Sequence, residues 1–135
     1  MREKPQSPPR PRATILCIQE GRVLLVRKKG GKWNLPGGTV EKNEHPMAAA
    51  LRELREETKL RLTALNTAGT LDIGDTRHLV FTTEVTPGTN AQANNEIEDC
   101  RWFDADQLKK KPVKDSAIAL LNAFLRQWLE APSTS

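Results

Sequence analysis

The chain has 135 residues, 37% of them hydrophobic, with 21 lysines and arginines against 17 aspartates and glutamates and a formal net charge of +4. That length supports one core and excludes two full domains, and the positive balance favours anionic partners such as nucleotides and other phosphates. No stretch is long and apolar enough for a membrane span or a signal peptide, so a cytoplasmic location is the default expectation.

Residues 1–11, with Pro5, Pro8, Pro9 and Pro11 among arginines, predict an extended or disordered arm ahead of a domain over 12–130 and a fraying tail over 131–135. Ala13 to Ile18 and Val23 to Val26 are short apolar runs joined at Glu20-Gly21, the pattern of a hairpin. Arg27-Lys28-Lys29-Gly30-Gly31-Lys32 follows as a basic loop, either a solvated turn or a rim facing phosphate. On the second reading Arg27 is the first choice, because a guanidinium at a strand end can grip phosphate with two N–H groups, and Lys28 is the second. Trp33 is expected to pack rather than stack on a base. Pro36-Gly37-Gly38 permits backbone conformations closed to other residues.

The most informative stretch runs from Gly38 to Leu60, GTVEKNEHPMAAALRELREETKL. It predicts a loop feeding a helix, with His45 at the cap position and Pro46 in the first turn. Met47, Ala50, Leu51 and Leu54 form an apolar stripe, and Ala49 is expected to leave room beside the carboxylates. Glu53, Glu56 and Glu57 stand at i, i+3 and i+4, where like charges cost about 0.2 to 0.5 kcal/mol a pair. Arg52 can reach Glu56, but with Arg55 it lies on the flank, which leaves carboxylate oxygens convergent and unpaired. A hard divalent cation, Mg2+ or Mn2+, suits such a set.

Farther on, residues 62–73 and 77–85 are strand-like segments separated by Gly74-Asp75, a second hairpin, in which His78 is read as structural. A polar loop ends at Glu96, and Glu96 and Glu98 share one side of the next strand, which carries Trp102-Phe103. Lys109-Lys110-Lys111-Pro112 breaks the chain before one long helix through Ile118, Leu121, Leu125 and Trp128, capped by Asp115 or Ser116. Cys17 and Cys100 form no CxxC pair and only His45 and His78 could join them, so zinc and redox chemistry lack ligands and buried free thiols are expected. Two hairpins, a central helix and a terminal helix imply an α/β/α sandwich with a mixed sheet between helices.

Gly38, Glu44 and the run Arg52-Glu53-Leu54-Arg55-Glu56-Glu57-Thr58-Lys59-Leu60 resemble the Nudix box, G-x5-E-x7-R-E-U-x-E-E-x-G-U, in its MutT-like branch. Trp33-Asn34-Leu35-Pro36-Gly37 and Trp102-Phe103 also resemble that family. The resemblance implies the Nudix fold and metal-assisted hydrolysis of a diphosphate linkage. It implies metal ligation by Glu53, Glu56, Glu57 and the Gly37 carbonyl, with Mg2+ or Mn2+ as cofactor. It makes Glu53 or Glu96 the proton acceptor, with Glu98 in reserve, and gives Glu44 and Arg52 the task of bracing the loop on the helix beside Gly38. Arg27 and Lys28 would hold the non-reacting phosphates, and Asp115 would lie beside the base.

One box position departs, Lys59 for glycine, with a local stability cost as the expected consequence. The absence of tyrosine, and Pro87 as the first proline after Leu60, count by resemblance against dinucleoside-polyphosphate and ADP-ribose enzymes. The expected reaction converts a nucleoside triphosphate into a monophosphate and pyrophosphate. The alternatives are hydrolysis of diphosphoinositol or dinucleoside polyphosphates and, from another class, a Nudix-fold sensor that binds a nucleotide without cleaving it. Expected partners are small phosphoanhydrides, with neither membrane nor specific nucleic-acid binding, in a monomer or homodimer.

Overall fold

The computed structural model describes residues 7–131. Its sheet grows from β1 (Arg10–Gln19), which turns at Glu20 and Gly21 into β2 (Arg22–Lys28). Both turn residues have positive φ, the backbone that a two-residue hairpin needs. β1 and β2 pair only at Ile18↔Val23 and Gln19↔Arg22 and then part. The edges they vacate are taken by β3 (Trp33–Asn34) on β2 and β4 (Gly37–Thr39) on β1. This split opens the sheet where the site lies.

After α1 (Pro46–Thr58), β5 (Asn66–Ile73) and β6 (Thr76–Glu84) form the second hairpin, and β6 runs parallel to β1 from Arg10↔Thr76 to Ile18↔Glu84. β7 (Ile97–Phe103) pairs antiparallel with β2, completing a seven-stranded mixed sheet. Along β1, Ala13, Ile15 and Cys17 pack with Ala49, Ala50 and Leu54 of α1, while Leu16 faces the other way. There it joins Val23, Leu25 and Val80 beneath α2 (Ala105–Lys109), α3 (Asp115–Phe124) and α4 (Arg126–Glu130). Burial on both faces is why these strands read as unbroken apolar runs, each fully covered leucine or isoleucine contributing about 1.5 to 3 kcal/mol. The result is the expected α/β/α sandwich. No helix among the described residues is long and apolar enough to cross a membrane.

Several boundaries differ from expectation. β1 begins at Arg10, because its edge is hydrogen-bonded to β6 from that residue on, so the last two residues of the expected arm belong to the sheet. Residues 1–6 of that arm and 132–135 of the tail lie outside the described residues. The single terminal helix is two helices, broken where Leu125 leaves helical geometry at φ −133 and ψ 41. Neither Asp115 nor Ser116 caps α3: Lys114 holds the cap position without a side-chain bond, and Asp115 is in the first turn, where its charge suits the helix dipole. The short helix α2 has a capping box of Asp104 and Gln107 that was not anticipated. Trp33 is 5% exposed and meets Phe103 edge to face at 4.9 Å, a packing residue as expected.

Candidate active site

α1 is set by local signals. His45 caps it through Nδ1, which accepts from the Met47 N–H at 3.2 Å, and Pro46 occupies the first turn. At the other end Lys59 is left-handed, φ 63 and ψ 7, and its N–H donates to the Arg55 carbonyl at 2.9 Å. A side chain in that conformation costs about 1 to 2 kcal/mol. Two glycines let the preceding loop press against the helix. A Cβ on Gly38 would lie 2.4 Å from the Glu53 carboxyl carbon, and one on Gly37, at φ 153, would lie 2.1 Å from the Ala13 carbonyl oxygen.

The carboxylates are not left unpaired, which corrects that expectation, while the reach of Arg52 to Glu56 and its contact with Glu44 are as expected. Arg52 Nη1 donates to Glu53 Oε1 at 2.8 Å and to Glu56 Oε2 at 3.2 Å, while Nε and Nη2 take the two Glu44 oxygens at 2.8 and 3.0 Å. The guanidinium also reaches the Thr39 carbonyl, so one side chain ties the helix to the loop. That hydrogen bonding lowers the Glu44 carboxyl to about 2. Glu57 is turned away from Arg52 and is 7% exposed, with Oε1 accepting the Gly37 N–H at 2.8 Å. Burial raises it to about 7 against the opposing pull of that N–H and of the Arg12 guanidinium. Burial likewise raises Glu53, opposed by Arg52.

Beyond Glu57 a cleft of about 140 Å³ opens at the β1–β2 split, lined among others by Arg12, Lys28, Lys32, Asn34 and Lys114. Arg12 is the main residue that sequence reasoning missed. Its side chain donates from Nη2 to the Leu35 carbonyl at 3.1 Å and from Nε to Thr14 at 3.4 Å. Burial lowers its pKa, against Glu57 and Glu53. Thr14 in turn shares a 2.8 Å hydrogen bond with His78 Nδ1, and burial, then Arg12, lowers the pKa of that imidazole. The available signal was period 2: Arg12, Thr14 and Leu16 lie on one face of β1, so a strand that continued back to Arg12 had to point it inward. Lys114 reaches the cleft because segment 112–114 docks on β3, with the Trp33 N–H on the Pro112 carbonyl and the Lys114 N–H on the Trp33 carbonyl, both at 2.9 Å.

The other sequence candidates are dispersed around this centre. Lys28 lines the cleft and pairs with Glu96 at 3.6 Å, both well exposed. Arg27 is outside the lining; it pairs with Glu98 at 3.3 Å and stacks over Trp33 at 5.5 Å. Asp115 is exposed and also outside the lining, next to Lys114. Ala49 is fully buried in the core on the α1 side of the sheet and leaves no room for a ligand. The contact seen from Gly37 is its N–H on Glu57.

Among the described residues, no three carboxylate, histidine or cysteine side chains meet in a metal-holding arrangement. The donor chemistry nevertheless fits a hard divalent cation: Glu53, Glu56 and Glu57 offer oxygens only, and burial raises two of them, so an added positive charge would favour their ionised forms.

Comparison with known proteins identifies the family. The NUDIX domain family model matches residues 8–124. A MutT-like protein of Streptomyces ambofaciens is 30% identical over 116 residues, covering 83% of this chain and 74% of that protein. An oxidized purine nucleoside triphosphate hydrolase of Danio rerio is 36% identical over 104 residues, covering 70% of this chain and 65% of that one. Among solved structures, a bifunctional NMN adenylyltransferase/ADP ribose pyrophosphatase from Francisella tularensis, complexed with AMP and a Mn ion, superposes with a TM-score of 0.78 at 23% identity. That match covers 92% of this chain and 43% of the other. The domain match spans both the carboxylate helix and the split sheet, and the chain belongs to the Nudix hydrolase family.

Proposed function

We propose that the protein hydrolyses a phosphoanhydride with Mg2+ or Mn2+, converting a nucleoside triphosphate into a monophosphate and pyrophosphate. The observation that carries this reading is the position of Glu57, which belongs to the acidic set of α1 and also lines the cation-rich cleft. Glu53, Glu56 and Glu57, with the Gly37 carbonyl, would hold the metal. When bound it supplies Lewis-acid neutralisation of the phosphates and activation of water for attack. Arg12, Lys28, Lys32 and Lys114 bind and orient the phosphates and the rest of the nucleotide in the cleft. Arg52 and Glu44 hold the carboxylates in place. Proton acceptance falls to Glu53, whose carboxyl is raised by burial, since Glu96 is well exposed and outside the cleft lining.

The Danio rerio relative favours a purine nucleoside triphosphate, and the Mn ion in the Francisella tularensis structure favours the divalent metal. A second reading, a sensor that binds the nucleotide without cleaving it, draws on the bonds from Arg52 to both Glu53 and Glu56, which compete with an ion. A screen of nucleoside triphosphates, including oxidized purines, with dinucleoside polyphosphates, ADP-ribose and diphosphoinositol phosphates separates the two. Pyrophosphate release from a triphosphate supports the first; nucleotide binding without turnover on any of them overturns it in favour of the second.

A further inference from the structure

A second cleft, of about 400 Å³, lies at the C-terminal end of α1 and is lined by Arg55, Glu56, Lys59, Arg61, Asn94 and Asn95. Arg55, Lys59 and Arg61 are exposed, and none of the three is in an ion pair among the described residues. Arg55 and Lys59 are like charges at i and i+4, so the cluster is mutually repulsive and has no internal reason to form. The one carboxylate at its edge, Glu56, is already held by Arg52 at 3.2 Å. Complementing the helix dipole accounts for one cation, not for three around one cavity.

The walls are fixed. The Gln92 and Asn94 N–H groups donate to the Thr58 and Glu57 carbonyls at 2.9 and 3.1 Å, tying the loop to the end of α1. Two of the four described non-glycine residues with positive φ, Lys59 and Asn95, face this same cleft. At Lys59 the backbone conformation favours glycine, yet a long cation stands there. Backbone strain held beside an uncompensated basic cavity is the pattern of a binding site.

We infer that this cleft is a phosphate site separate from the one that holds the cleaved anhydride. It takes a phosphoryl group either from an extended substrate, such as the phosphodiester of a short 5′-phosphorylated oligonucleotide, or from free inorganic phosphate. The cleft is lined by three cationic residues and two asparagines, whose N–H groups match phosphate oxygens. Glu56, shared with the acidic set, places the site next to the reaction centre. The link to substrate rests on the hydrolase reading; the binding itself does not.

The test is calorimetric titration of metal-free full-length protein with inorganic phosphate and with a 5′-monophosphorylated trinucleotide, for wild type, Lys59→Gly and Arg61→Ala. Both variants should weaken one binding event at least fivefold and leave kcat/KM for a nucleoside triphosphate within twofold. Lys59→Gly should also raise Tm, so lost binding cannot be read as lost folding. Weakening with inorganic phosphate identifies a free anion as sufficient, and weakening with the trinucleotide alone identifies the extended substrate. Unchanged affinity for both probes in both variants overturns the inference. Weakened binding in a protein that hydrolyses no nucleotide would leave this site standing while refuting the hydrolase reading.

Discussion

The two halves of the candidate active site are built in opposite ways. The acidic half, Glu53, Glu56 and Glu57 with Arg52 and Glu44, comes from residues close in sequence on one helix and the loop before it. The basic half, Arg12, Lys28, Lys32 and Lys114, is assembled from β1, β2, the loop after it and the start of α3, and no short motif joins them. The acidic half is partly neutralised by one shared guanidinium. The basic half sets one half-buried cation, Arg12, near one buried carboxylate, Glu57. A contiguous cluster can be read from spacing, whereas a cluster made by strand pairing becomes visible only when β1 is seen to lie beside β4 and β6.

The largest expected effect lies on the acidic side. Glu56→Gln or Glu57→Gln should lower turnover by about a hundredfold or more, since each removes a charge on which several kcal/mol of metal-assisted stabilisation depends. Circular dichroism and Tm of the metal-free variants should show an intact fold. Near-normal turnover at saturating Mg2+ would place the metal on other residues.

Arg52→Ala should cost roughly ten- to hundredfold, because Arg52 acts through the carboxylates it holds. Its signature is a higher Mg2+ concentration for half-maximal activity, with Arg52→Lys recovering part of the loss. A change in KM for nucleotide alone, at an unchanged Mg2+ requirement, would move Arg52 from the acidic half to the basic one.

On the basic side, Arg12→Met preserves bulk and removes the half-buried cation. KM should rise about tenfold, on the scale of one hydrogen bond to a charged group, with the fold retained. An unchanged KM would show that Arg12 only braces Leu35 and Thr14 and that the cleft is bounded by its lysines.

The smallest effect comes from His78. Its folded pKa lies below the ordinary 6.5 because burial and then Arg12 disfavour the imidazolium, so the unfolded chain binds the proton more readily. The stability it contributes is present above about pH 6.5 and is lost as pH falls through the lower folded value. Tm of the wild type should drop more between pH 7.5 and 5.0 than Tm of His78→Gln. Parallel drops would show that the Thr14–His78 pair accommodates the proton.

Much of the fold was legible because hydrophobic pattern and turn chemistry agree. The apolar runs on either side of Glu20-Gly21, the turn at Gly74-Asp75 and the stripe of α1 each point to one structure. What was not legible depends on tertiary pairing. β3 and β4 have two and three residues, too short for any period, and exist because β1 and β2 part. The terminal stripe from Ile118 to Trp128 keeps helical spacing across Leu125, so the break there leaves no trace in the pattern. In the site, spacing gave the reach of Arg52 to Glu56 but not its bond to Glu53, nor the burial of Glu57 against the Gly37 N–H, because both depend on how the loop before α1 folds onto the helix.

The central claim is that the carboxylates of α1 hold a divalent cation for the reaction. Titration of the wild type, Glu56→Gln and Glu57→Gln with Mn2+, read by electron paramagnetic resonance, tests it without a substrate. The account predicts saturable binding by the wild type and an affinity lower by about tenfold or more in each variant. Equal Mn2+ affinity in all three proteins would contradict it.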